Sequence, residues 1–179
     1  MRCFKKIQSY VILALVVVVG TGITLKATST DLNKRGTFEH PIAIEKKKDI
    51  RVVYQFKKDV WKNEIGAPFH YLDKLAVFYE QRGVSKHQRR IHGVFQGQAA
   101  YMLLKDSAYR KERSNQMKNP NGEAVEALLQ KGVHLEICAS TMRNHGWSGE
   151  DIRPGIDVVS GAYPRVIDLQ QRGYAYIRF

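Results

Sequence analysis

One side chain in this sequence has both the chemistry of a nucleophile and a position that suits it. Cys138 closes the run Val133-His134-Leu135-Glu136-Ile137-Cys138, and a helical turn is expected from Ser140 or Thr141 to His145, ahead of Gly146. A thiol at the carboxyl end of a strand, facing the unpaired N–H groups of a helix start, is shifted toward the thiolate. Arg143, or His145, would add positive charge if folded back toward the sulfur, and Arg143 is taken as the electrostatic helper. Glu136 shares strand parity with Cys138, and a carboxylate there raises the thiol pKa unless a base pairs with it. The alternative is that Cys138 is a small apolar residue finishing a buried strand.

The other chemistry-bearing residues form no comparable pattern. His92 and His134 with Cys138 would make a zinc site on paper, but nothing clusters at metal-ligand spacing, so no metal and no cofactor are assigned. His40, His70 and His87 read as exposed or half-exposed residues. There is no nucleophile elbow and no Walker-type loop. The two glycines of Gly93-Val94-Phe95-Gln96-Gly97 lack the spacing of a dinucleotide fingerprint. Tyr101, Tyr163 and Trp147 either line a pocket or fill the core, and core filling is the favoured reading.

The elements that must position Cys138 follow from periodicity. Arg51–Phe56, Arg90–Phe95, Val133–Cys138, Ile156–Val159 and Tyr174–Arg178 are β-rich runs. Between them Phe69, Leu72, Leu75, Ala76 and Tyr79 recur at helical spacing before Gly83; Val125, Leu128 and Leu129 form a second stripe closed by Gly132; Tyr163, Val166 and Ile167 mark a last helix before Gly173. A short helix is expected over Ala99–Leu104, broken at Asp106-Ser107, and Asn119-Pro120-Asn121-Gly122 is turn chemistry. Strands alternating with helices predict right-handed crossovers and a parallel sheet covered on both faces. Functional groups then collect beyond the strands' carboxyl ends, where Cys138 lies.

The first 29 residues read as a targeting segment. Arg2, Lys5 and Lys6 precede the apolar run Val11–Val19, with weaker apolar residues to Leu25 and small residues at Ala27-Thr28-Ser29. That is the anatomy of a secretory signal peptide; an uncleaved anchor through residues 10–25 is the alternative, though the stretch is short of the roughly 20 residues a spanning helix needs. Residues 30–49, with Pro41 and the Lys46-Lys47-Lys48 run, read as a linker, and 50–179 as one domain. Export leaves Cys3 in the leader and Cys138 without a partner, in a compartment that normally pairs its thiols. Such a thiol is either buried and inert or reactive.

The 179 residues, 44% hydrophobic and 26% charged, belong to a folded globular chain. Of the +12 net charge, four positive charges sit in the first 29 residues, leaving +8 for the remainder. A basic balance favours anionic partners, but no stretch interleaves aromatics with Arg and Lys as a nucleic-acid platform does, so nucleic acid is not expected.

Taken in order, several segments resemble the DsrE/DsrF-like proteins. They are Gly66-Ala67-Pro68, Ile91–Leu104, Asn119-Pro120-Asn121, Leu135–Met142 with Gly146-Trp147, the Asp151–Pro154 turn, Gly161–Gln170, and the ending Gly173–Ile177. The resemblance spans about residues 50–179. It implies a three-layer α/β/α sandwich with a five-stranded parallel sheet, assembly into homotrimers or homohexamers, and sulfur carried as a persulfide on the cysteine matching Cys138. The partners implied are a sulfur donor or acceptor protein or a small sulfur anion, and any enzyme activity is at most that of a sulfurtransferase or carrier. In two respects the chain departs from the cytoplasmic relatives. Gln96 precedes Gly97 where many close relatives would have histidine, and an exported protein cannot reach the dedicated subunits of cytoplasmic sulfur relays. The rival function is a non-enzymatic oligomeric module that binds a small anion or a partner, with Cys138 structural.

Overall fold

The computed structural model describes residues 42–113 and 116–179; the leader, Cys3 and residues 30–41 of the expected linker lie outside them. Residues 42–49 carry neither helix nor strand. Five parallel strands then form one sheet: β1 (Ile50–Phe56), β4 (Arg89–Phe95), β5 (Val133–Cys138), β6 (Asp157–Val159) and β7 (Ala175–Arg178), in the spatial order β6-β5-β4-β1-β7. The helices are α1 (Ala67–Glu80), α2 (Asp106–Glu112), α3 (Gly122–Gln130), α4 (Ala139–His145) and α5 (Ala162–Gln171). A two-stranded ribbon, β2 (Trp61–Lys62) with β3 (Ile65–Gly66), completes the list.

Strand parity sorts the side chains between two unequal cores. Val52, Tyr54 and Phe56 of β1, Ile91 and Phe95 of β4, and Leu135 and Ile137 of β5 face α1 and α3, meeting Phe69, Leu72, Val125 and Leu128. Val53, Val94 and Cys138 face the other way, against Ala162, Val166 and Leu169 of α5 and against Tyr174. The handedness of crossovers explains the asymmetry. The chain steps from β1 to β4 to β5 in one direction, which puts α1 and α3 on one face. From β6 it crosses back over three strands to β7, so the same right-handed rule places α5 on the opposite face.

The structure departs from the sequence reading at four places. Asp106-Ser107 is a restart: a 3-10 helix over Gly97–Leu103 ends, and α2 begins at Asp106, whose carboxylate suits the positive end of a helix. The ribbon was unforeseen; its turn residues Asn63 and Glu64 both hold positive φ (50° and 65°), the conformation a two-residue hairpin requires. In α5 the buried stripe is Ala162, Val166 and Leu169, while Tyr163 and Ile167 are 59% and 54% exposed, so Tyr163 fills no core. Finally, Asn119-Pro120-Asn121 is more than a turn. Asn119 Nδ2 donates to the carbonyls of Met102 and Leu104, and Asn121 Oδ1 accepts from the buried Gly66 N–H at 2.7 Å.

The two glycines of the Gly93–Gly97 stretch answer to packing. A Cβ at Gly93 would sit 2.9 Å from Leu72 Cδ1, and Gly97 has φ +52° with the Lys57 carbonyl 3.2 Å from where its Cβ would be.

Replacing Asn121 with Ala strands the Gly66 N–H inside the protein, at a cost of about 1–3 kcal/mol. Urea unfolding of Asn121→Ala should show a lower midpoint with an unchanged slope.

Candidate functional site

Cys138 is the last residue of β5 and the N-cap of α4, so sulfur and helix start share one residue junction. Helix α5 begins beside it: Ala162, its first residue, packs in the same cluster as Cys138. Pro164 sits in the first turn of α5, where its missing N–H has no carbonyl to meet. The result is a sulfur aimed at by two helix starts. Burial pushes the thiol pKa up, but the N–H groups of Thr141, Ala162 and Ser140 and the Thr141 hydroxyl stabilise the thiolate and bring the net shift below the ordinary value. Thr141 Oγ1 also accepts the Gly97 N–H at 3.1 Å, tying the loop after β4 to α4.

Although Cys138 lies at the strand end where functional groups collect, it is only 4% exposed in the isolated chain. It packs in a buried cluster with Val53, Val94, Ala162, Val166, Leu169 and Tyr174. Arg143 is exposed and donates to Ser140 Oγ at 3.0 Å, one turn back along α4, so it meets the helix start from outside. His145 turns elsewhere: Nδ1 lies 3.1 Å from the Tyr101 hydroxyl, and its ring stacks on Trp147 at 4.6 Å.

Glu136, one step back on the same face, is 1% exposed and fully engaged. Arg165 of α5 grips it with both Nε and Nη2 at 2.8 Å, and His92 Nδ1 lies 2.6 Å from Oε1. Burial would raise the carboxyl pKa; the Arg165 and His92 contacts overcome that and hold it at about 2. A paired carboxylate of this kind does not oppose a neighbouring thiolate as a lone one would. His92 and His134 stack at 4.4 Å, and burial together with the His92 ring lowers the His134 pKa. Among the described residues no three His, Cys, Asp or Glu side chains gather as metal ligands.

Arg165 and Thr141 were not singled out from the sequence. Arg165 lies 29 residues beyond Glu136, and only the return crossover brings them together. Thr141 stands three positions after Cys138, where a helix start would make it a donor, so spacing carried that signal.

Pairing sets the pH dependence. Because the folded value of Glu136 lies below its ordinary 4.5, this stabilisation is complete above that pH and is lost as pH falls toward about 2. In Arg165→Met the buried carboxylate loses its main counter-charge; the fold should lose about 3–5 kcal/mol at neutral pH. Acid unfolding, followed by circular dichroism, should move to higher pH in that variant.

Comparisons with known proteins agree with this architecture. The model of the DsrE/DsrF-like family matches residues 52–179. Two solved structures have the same fold. One is MTH1491 from Methanobacterium thermoautotrophicum, a protein of unknown function, at 25% identity and TM-score 0.51, covering 73% of this chain and 100% of that one. The other is the ychN protein from E. coli, at 15% identity and TM-score 0.51, covering 73% and 99%. A search of curated proteins found no match. Spanning the sheet, both of its faces and the Cys138 junction, the family match establishes that this chain belongs to the DsrE/DsrF-like family.

Proposed function

We propose that the chain is an exported sulfur-handling protein that carries sulfane sulfur as a persulfide on Cys138. Family membership supports a sulfur-related role. The observation that carries the finer reading is the set of N–H groups from Ser140, Thr141 and Ala162, with the Thr141 hydroxyl, directed at one sulfur.

The step is nucleophilic displacement at sulfur. The Cys138 thiolate attacks the outer sulfur of thiosulfate, the S–S bond breaks, and sulfite leaves with the electron pair of that bond. The terminal sulfur of the persulfide then passes to an acceptor thiolate, and Cys138 returns as thiolate. No oxidant is required. Arg143, exposed on the outer side of α4, is the proposed electrostatic helper for an arriving sulfur anion. A mobile side chain over Cys138 must admit the donor, or a partner protein must displace it. The basic leader reads as the export signal, or as an anchor if it is retained, and assembly into a homotrimer or homohexamer belongs to the same proposal.

The 4% exposure of Cys138 favours a second reading, in which the thiol is packing and the protein is a non-enzymatic module that binds a small anion or a partner. Mass spectrometry separates the two. After incubation of the native protein with thiosulfate, a one-sulfur adduct should appear on Cys138 and be absent from Cys138→Ser. An unmodified Cys138, alkylated only after unfolding, would leave the packing role. In the carrier reading Thr141→Val removes one hydrogen bond to the anion, worth about 1.5 kcal/mol. Its alkylation by iodoacetamide near neutral pH should slow about tenfold, with the pH–rate midpoint moved upward.

A further inference from the structure

A second site lies on the same face of the sheet, between α5 and the carboxyl ends of β1 and β7. It is a cavity of about 290 Å³. Gln55 and Gln96 line it while being only 6% and 8% exposed, and the Nε2 of each is buried without a hydrogen-bond partner. In Gln55 the other amide atom, Oε1, accepts the Tyr176 hydroxyl. A buried amide N–H left unmade is costly, and both lie on this face of the sheet, Gln55 on β1 opposite Val94 and Gln96 just past the end of β4. Such pairs mark a place where a ligand supplies the acceptors.

Charge and shape narrow the ligand. Lys57 and Arg178 line the mouth, both exposed, and neither is in an ion pair among the described residues. No acidic side chain lines the cavity. Its α5 wall is partly open and mostly apolar, with Val166, Ile167 and the ring of Tyr163 beside the polar Gln170. At about 30 Å³ per water, the volume is that of about ten waters, enough for a compact organic molecule. We propose that this cleft binds a small organic oxyanion, its carboxylate or sulfonate head held by the Gln55, Gln96, Lys57 and Arg178 donors and its apolar body laid along α5.

The site stands apart from the thiol. Cys138 does not line the cavity, and Val166 is the wall they share. The assignment therefore does not require Cys138 to be reactive.

Calorimetric titration and thermal unfolding of the full chain test it, with benzenesulfonate and benzoate as probes and benzyl alcohol as the uncharged control. Either anion should bind and raise the unfolding midpoint, the tighter one identifying the head group; the alcohol should do neither. Lys57→Met/Arg178→Met, altered only at exposed positions, should bind at least tenfold more weakly. Gln96→Leu should also bind more weakly, yet its unliganded midpoint should rise because an unmade buried donor is gone. Cys138→Ser should bind like the parent. No binding by either anion, equal binding by the alcohol, undiminished affinity in the double variant, or lost binding in Cys138→Ser would each overturn the assignment. Anion binding without a sulfur adduct would leave the cleft standing and remove the carrier reading; an adduct without anion binding would do the reverse.

Discussion

The Glu136–Arg165 pair is the constraint on which the Cys138 face of the sheet depends. A carboxylate that is 1% exposed is tolerable only with its charge met and its oxygens bonded. Arg165 meets both needs with a two-pronged grip, and His92 takes a further contact. The same grip fixes α5 along β5. Moving two residues up the strand, from Glu136 to Cys138, corresponds to moving three residues back down the antiparallel helix, from Arg165 to Ala162. Two strand residues advance roughly 6.7 Å and three helical residues roughly 4.5 Å, a difference that the long arginine side chain absorbs. The ion pair thereby brings the amino end of α5 level with the sulfur.

That placement makes Cys138 a contest between two opposed effects. Burial among Val53, Val94 and Val166 disfavours the thiolate, and directed N–H groups favour it. The donors win, although no cation of the described residues figures among the causes of the shift. Neutral dipoles suffice because they are fixed before any charge appears and need no reorganisation when it does. The price of this arrangement is access, since the residues that create the low-dielectric setting also cover the atom.

Topology concentrates chemistry on one face. The face under α1 and α3 is almost wholly apolar, and its side chains fill a core. The return crossover supplies a single helix for the other face, which retains His92, His134 and Glu136 on β4 and β5 and the Gln55–Gln96 cleft beside β1 and β7. A sheet face that is only partly covered can hold polar side chains without isolating them from partners, which is why the unusual groups of this chain lie there.

Strand and helix order, parallel pairing and the strand-end position of Cys138 were legible in the residues themselves. Periods of two and of 3.6 report which face of an element is buried, and glycines at positive φ, such as Gly83 and Gly146, end the helices where expected. The segments resembling the family carried the fold as a whole. Local pattern could not show which residues meet across 29 positions of chain, so Arg165 stayed unseen although Glu136 had been noted as needing a base. Nor could it tell the stripe of Ala162, Val166 and Leu169 from that of Tyr163 and Ile167, which are offset by one residue. Exposure of the thiol, the partner of Glu136 and the two unmet amides are properties of the packed sheet and helix together. Sequence determined what each element could offer; the crossing of α5 over the sheet decided which offers met.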